Sequence, residues 1–496
     1  MGGKGISISL ARTLVRRFSR RVMLIAWAAC MLAFWFFPQI PTMLRWPVRL
    51  LFLALIVSSV AGIWRVVSAA RAQPRRSLFV LAAVALGIGI PYLCIEAVCW
   101  TYLRVSTGGR GPFALTEVQV KAAEAIIAGE GEYVRQSREL GWTIIPGATS
   151  SNSKGKANMQ GIRANREYSS GKPPGIVRTL CFGDSFTHCN EVSNDETWPH
   201  YAEETGGVEF LNFGVGGYGM TQALLRYLHE GRAFETDVVI LGCMSNDVRR
   251  SVNAYYPFRL ADPSEAPSVM GIPYASLDAS GNLVLNPNPL PDAQAYRELL
   301  ANPGKRLREL SKLDLLFHPS PPTPLLTLIK SKAGDELAEL WSDVSVRLQR
   351  NLNIVLARKN VRIVKQAPLG EDDVYDPKHP VFPINCRVFD RFVSEVKATG
   401  ARPLILWLPG RKDFARYREG RELIYKPILD YFASQKYEFI DTMDWIAADM
   451  PGDQGLAEDK VLFAESHYSA TTNRVIGRRI ADHVRKMVPA KQPALR

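Results

Sequence analysis

Four short stretches of this 496-residue chain carry the residue types of acyl chemistry. Gly183-Asp184-Ser185-Phe186-Thr187 supplies a serine. Asn212-Phe213-Gly214-Val215-Gly216-Gly217-Tyr218-Gly219 is a glycine-rich turn. Ser245-Asn246-Asp247 brings a side-chain amide, and Glu465-Ser466-His467 an imidazole beside a carboxylate. A serine hydroxyl is a poor nucleophile until a base takes its proton. The first three blocks directly follow apolar, strand-like runs, and the fourth precedes a helical one. In a parallel sheet such strand ends open on one edge, where ligands bind. Residues hundreds of positions apart in sequence would meet there.

In these blocks the chain resembles the SGNH/GDSL hydrolase family, with Ser185, Gly217, Asn246 and His467 in the four name-giving positions. The resemblance runs from about residue 160 to 490, with an interruption, and Gly161-Ile162-Arg163 and Thr197-Trp198-Pro199 also look like bacterial members. It implies a three-layer α/β/α, flavodoxin-like parallel sheet and a serine esterase that works through an acyl-enzyme without metal or cofactor. Ser185 is then the nucleophile and His467 its base. The implied oxyanion hole is the backbone N–H of Ser185 and of Gly217 plus the side-chain amide of Asn246, with Gly214 as the rival to Gly217. A carboxylate must orient the imidazole. Family members usually carry Asp three residues before the histidine, but here that residue is Ala464. Glu465 lies two before His467, on the same side of an extended segment, and is the expected acid. Asp441, just past the fifth strand, is the substitute, and a dyad without an acid is the third arrangement. The other histidines, at 188, 200, 229, 318, 379 and 483, have no matching partners and read as structural or exposed.

The elements that must carry these residues are legible as periodic runs. Strands are expected at 176–182, 208–213, 237–244, 403–408 and 437–440, and helices at 221–230, 389–399 and 470–487. Apolar strands alternating with helices indicate a parallel sheet covered on both faces. An insertion over about 249–385 breaks the rhythm and reads as a cap. It starts with a hairpin turning at Ser280-Gly281. Apolar patches at 315–317 and 325–329 flank Pro319–Pro324, and residues from Leu337 to Val355 recur at helical spacing. The seven cysteines form no CxxC or Cys/His zinc pattern, and Cys181 and Cys243 fall in strands as buried thiols.

The charge is divided unevenly. Of the net +13, all lies in residues 1–110, where Lys4 and thirteen arginines face one acid, Glu96; the remainder is neutral. A basic excess outside the folded part argues against nucleic acid as a partner. It flanks apolar runs at 22–37, 50–64 and 78–103, with six basic residues before the first, two before the second and four before the third. That is the positive-inside pattern of three spans. It makes residues 1–21 a cytoplasmic tail, 22–105 three transmembrane helices and 106–175 a linker and lead-in. The hydrolase-like domain, 176–496, is then on the periplasmic face of the inner membrane. If the second run only skims the interface, that domain lies inside. Further apolar runs after the first argue against a cleaved signal peptide. Glu96 reads as an interfacial or helix-paired acid rather than a functional one. By analogy with membrane-anchored relatives, the expected substrate is an O-acylated envelope or exported glycan. The close alternative is an O-acyltransferase with the same Ser–His site, working with a multi-span acyl-donor partner. A catalytically silent glycan-binding envelope protein is the alternative of a different class.

Overall fold

The computed structural model describes residues 113–260, 263–317, 373–450 and 459–488. The three expected spans, the Pro319–Pro324 stretch and the helical run 337–355 lie outside the described residues. Among the described residues no helix is long and apolar enough to cross a membrane.

A hairpin of β1 (Val134–Ser137) and β2 (Gly141–Ile144) precedes the main sheet. The sheet is built from β3 (Val177–Phe182), β4 (Val208–Asn212) and β5 (Val238–Cys243). After a second hairpin, β6 (Tyr274–Leu277) with β7 (Leu283–Asn286), come β8 (Arg402–Trp407) and β9 (Phe439–Asp441). Its order is β4-β3-β5-β8-β9 and every pairing is parallel. This is the flavodoxin-like order, whose direction reverses between its first and third strands, here β3 and β5. The five strands match the expected runs to within one or two residues.

Alternation along the strands divides the core into two layers. Leu180 and Phe182, Val239 and Leu241, and Ile405 and Trp407 face the helices Met220–His229, Val381–Ala398 and Lys426–Ser434. Cys181, Val238, Ile240, Leu404 and Leu406 face Trp198–Glu203, Thr442–Asp449 and Ala470–Met487. The helix expected from residue 389 begins at Val381 instead. Val381, Phe382, Ile384 and Cys386 are buried in the same core as Phe389 and Phe392, so the apolar face extends back to Val381.

The inserted hairpin forms where expected. Asp278 takes the N–H groups of Ser280 and Asn282 at 2.8 and 2.9 Å across its turn. Helices Ala293–Ala301 and Pro303–Leu313 share a small separate core with helix Glu117–Ala128, around Tyr255, Phe258 and Tyr296. Much of the expected linker is therefore folded: its helix packs into that core, and the β1–β2 hairpin packs against the glycine-rich turn through Trp142, Val215 and Tyr218. Cys181, Cys189, Cys243 and Cys386 are buried free thiols.

Candidate active site

Ser185 follows directly from the carboxyl end of β3, in the first turn of the short helix Ser185–His188. Asp184 caps that helix, its carboxylate accepting from the Phe186 N–H at 2.8 Å. Its other oxygen lies 3.4 Å from the Ser185 hydroxyl. The Ser185 turn is braced by the two flanking blocks seen in the sequence. Arg163 donates to His188 Nδ1 at 2.8 Å and to the Val192 carbonyl at 2.5 Å, and the Trp198 indole donates to the Phe186 carbonyl at 3.3 Å. Arginine can only donate, so His188 Nδ1 accepts and Nε2–H donates to the Tyr133 hydroxyl, 2.8 Å away. Burial and then Arg163 push the His188 pKa well down. It is a neutral, structural histidine.

The carboxylate at the His467 ring is Glu191, not Glu465. His467 Nδ1 lies 2.7 Å from Glu191 Oε1. The other oxygen of Glu191 accepts from the backbone N–H groups of Glu465, Ser466 and His467 at 2.8, 2.8 and 3.0 Å, and the Ser466 hydroxyl donates to Oε1 at 2.5 Å. Burial opposes ionisation of Glu191. The Ser466 hydroxyl, the N–H groups of His467 and Glu465 and the imidazole outweigh it and hold the pKa down at about 2. The expectation for Glu465 fails because the segment is a tight turn rather than extended. Ala464 N–H donates to the His467 carbonyl at 2.9 Å, and Phe463 bridges Tyr468. Glu465 therefore sits exposed at the turn, its carbonyl taking a hydrogen bond from Arg411. Asp441 is committed elsewhere. It caps helix Thr442–Asp449 through Met443 N–H at 3.0 Å and takes the Tyr425 hydroxyl at 3.0 Å, and burial pushes its pKa up to about 6. His467 also packs on Phe186, next to the serine, with ring centroids 5.1 Å apart.

Of the two candidate glycines, Gly214 has its N–H occupied by Asn212 Oδ1 at 2.9 Å. A Cβ there would lie 2.4 Å from the His188 nitrogen, so Gly214 is required for close packing of the two loops. Gly217 has φ +79° and sits in a turn closed by Tyr218 N–H to the Val215 carbonyl at 3.2 Å. Among the described residues, the N–H groups of Ser185 and Gly217 donate to no protein acceptor. Asn246 is exposed in the first turn of helix Ser245–Arg250, directly after β5. Asp247 fixes the start of that helix by accepting from Met244 N–H at 3.0 Å.

One guanidinium links the three strand ends. Arg250 Nη1 lies 2.9 Å from Asp247, 3.4 Å from Asp184 and 3.3 Å from the Tyr218 carbonyl. Burial, and then the facing Asp184, push the Asp247 pKa well up, with Arg250 opposing. Ser185 and Asn246 thus flank the point between β3 and β5 where the strand order reverses, the usual ligand position in such sheets. Among the described residues no group of three or more His, Cys, Asp or Glu side chains is placed to hold a metal ion.

Glu191 and Arg250 are the site residues that motif reading missed. The signal for Glu191 was indirect: the position that usually carries the acid in the resembled family holds Ala464, and Glu191 lies in the loop just after Ser185.

No family model matches the chain, and no curated protein matches it. Among solved structures it is similar to a protein described as lipolytic and of the G-D-S-L family from Desulfitobacterium hafniense. The identity is 11% and the TM-score 0.28, over 62% of this chain and 99% of that one. A member of the lipolytic G-D-S-L family from Veillonella parvula gives 12% identity and a TM-score of 0.27, over 64% of this chain and all of that one. Function has to be read from the site itself.

Proposed function

We propose that the chain is an SGNH-type serine esterase in which Ser185 is acylated and then freed by water. The observation that carries this reading is the 2.7 Å contact between Glu191 and His467 Nδ1, beside a serine capped into place at the end of β3. An ionised Glu191 accepts from Nδ1–H, which leaves the lone pair on Nε2 to take the Ser185 proton. The attacked carbonyl becomes an oxyanion, for which the N–H of Ser185, the N–H of Gly217 and the amide of Asn246 are the donors. The imidazolium then protonates the leaving alcohol. Water, deprotonated by the same imidazole, releases the acid. The ionised partner at His467 supplies the acid that Ala464 does not, and supports an active enzyme over a silent binding protein. Basic flanks of the three apolar runs support a membrane-anchored enzyme with its site on the periplasmic side. An O-acylated envelope glycan remains the substrate class by analogy.

A fluorophosphonate probe applied to the purified protein tests the chemistry. Labelling should occur on Ser185 and vanish in Ser185→Ala. A protein that turns over an activated ester while Ser185 stays unlabelled excludes the acyl-enzyme.

A further inference from the structure

The peptide joining Gly216 to Gly217 carries the proposed oxyanion donor. In a planar trans peptide the C=O and N–H point to opposite sides. Whatever holds the Gly216 carbonyl therefore aims the Gly217 N–H. That peptide is the central one of the turn Val215–Tyr218, whose third residue, Gly217, has φ +79°. Gly216, the second residue, has no positive φ, and a positive φ at the third position alone is that of a type II turn rather than type I′. Type I and type II turns differ by a flip of this central peptide, and two glycines on either side put little steric hindrance in its way. A flipped peptide would turn the Gly217 N–H to the opposite side.

One side chain opposes the flip. Trp142, buried in β2, donates its indole N–H to the Gly216 carbonyl at 3.1 Å. Its position is itself fixed. The Tyr218 hydroxyl donates to the Trp142 carbonyl at 2.5 Å, the two rings meet edge to face at 5.6 Å, and Arg259 lies 5.5 Å over the indole. The next two carbonyls are held as well, Gly217 by Arg259 at 2.5 Å and Tyr218 by Arg250 at 3.3 Å. Among the described residues, only the Trp142 bond falls on the peptide that contains the Gly217 N–H.

We propose that Trp142 is a positioning residue for the acyl chemistry: its indole N–H locks the Gly216–Gly217 peptide in the type II orientation, which presents the Gly217 N–H to the oxyanion. This rests on the reading of Ser185 as nucleophile and Gly217 as oxyanion donor. It gives the lead-in hairpin a role in catalysis without any contact to substrate.

The test is Trp142→Phe, which keeps an aromatic ring and removes the donor. Turnover of an activated ester is measured per site titrated by the fluorophosphonate, so that unfolded molecules are not counted. Complete loss of one oxyanion donor costs about 10²–10³ in kcat, and partial flipping should cost about 10–100-fold, with KM nearly unchanged. Affinity for a trifluoromethyl ketone, whose adduct carries an oxyanion, should fall by the same factor. Trp142→His, which restores a ring N–H, should recover part of both. A purely structural role lowers the melting temperature and the number of titratable sites but leaves kcat per site intact; that result in Trp142→Phe overturns the proposal. If the wild-type protein is not labelled at Ser185, the catalytic reading itself fails and this role fails with it.

Discussion

Glu191 stays ionised at neutral pH, because its acceptor sites are filled by three backbone N–H groups, a hydroxyl and an imidazole. It therefore does two things: it selects the tautomer of His467 and fastens the histidine turn to the loop after Ser185. The second role has a pH signature. The folded pKa of about 2 lies below the ordinary value of 4.5, so the stabilisation is complete above pH 4.5 and is lost as pH falls towards 2. The difference in melting temperature between wild type and Glu191→Gln should be present at pH 6 and close on acidification; a constant gap would mean that the charge plays no part. Asn246→Ala should lose about 10²–10³ in kcat as the loss of one oxyanion donor. His467→Ala should be nearly as inactive as Ser185→Ala, since the two act as a unit. At this scale the placement of the blocks bearing Ser185, Gly217, Asn246 and His467 was legible, since they end strands or precede a helix. Glu191 was hidden because its partner is 276 residues away, and only the folded turn at 464–467 brings its backbone and ring to one carboxylate.

The elements that hold the site are a parallel sheet with a cap, and one buried acid anchors the cap. Asp314 takes Asn253 Nδ2, the Ala254 N–H and the N–H groups of Leu316 and Phe317, all at 2.8–3.1 Å. Burial nevertheless pushes its pKa up to about 6. A raised folded pKa means that the folded state binds more protons than the unfolded state between about pH 4 and 6. Stability from Asp314 is thus full below pH 4 and declines as pH rises through 6, by up to about 3 kcal/mol. Chemical denaturation across that range should show this slope, and Asp314→Asn should flatten it whatever its effect on absolute stability. An unchanged slope would assign the linkage to Asp441 or Asp247. The five core strands and the closing helix Ala470–Met487 were readable because long apolar runs carry a clear period. The hairpin β1–β2 was not, since two strands of four residues each give too short a pattern. The first turns of helix Val381–Ala398 were missed because Pro383 looks like a stop, whereas it lies within the first turn, where its lost N–H costs no helical bond.

For the whole molecule, the division of charge is the main clue to where the site works. The described part carries the fold and the site, while the entire net charge falls in residues 1–110. Six, two and four basic residues before successive apolar runs predict a cytoplasmic N-terminus and an exported domain. A reporter fused after Leu103 should be active only if it functions outside the cytoplasm; activity of a reporter confined to the cytoplasm would leave two spans and an internal enzyme. That arrangement would also remove envelope glycans from the substrate class.

The site's central pairing is tested most directly by comparing kcat for Glu191→Gln and Glu465→Gln on an activated ester. A glutamine at 191 keeps the size but loses the charge that stabilises the imidazolium. The comparable change in a serine protease costs about 10⁴ in kcat, and a loss of about 10²–10⁴ is expected here. Glu465→Gln should remain within about twofold of wild type, because Glu465 is exposed and the carboxylate bonded to the ring is that of Glu191. Normal turnover in Glu191→Gln, with or without a loss in Glu465→Gln, would contradict the assignment of Glu191 as the acid that orients His467.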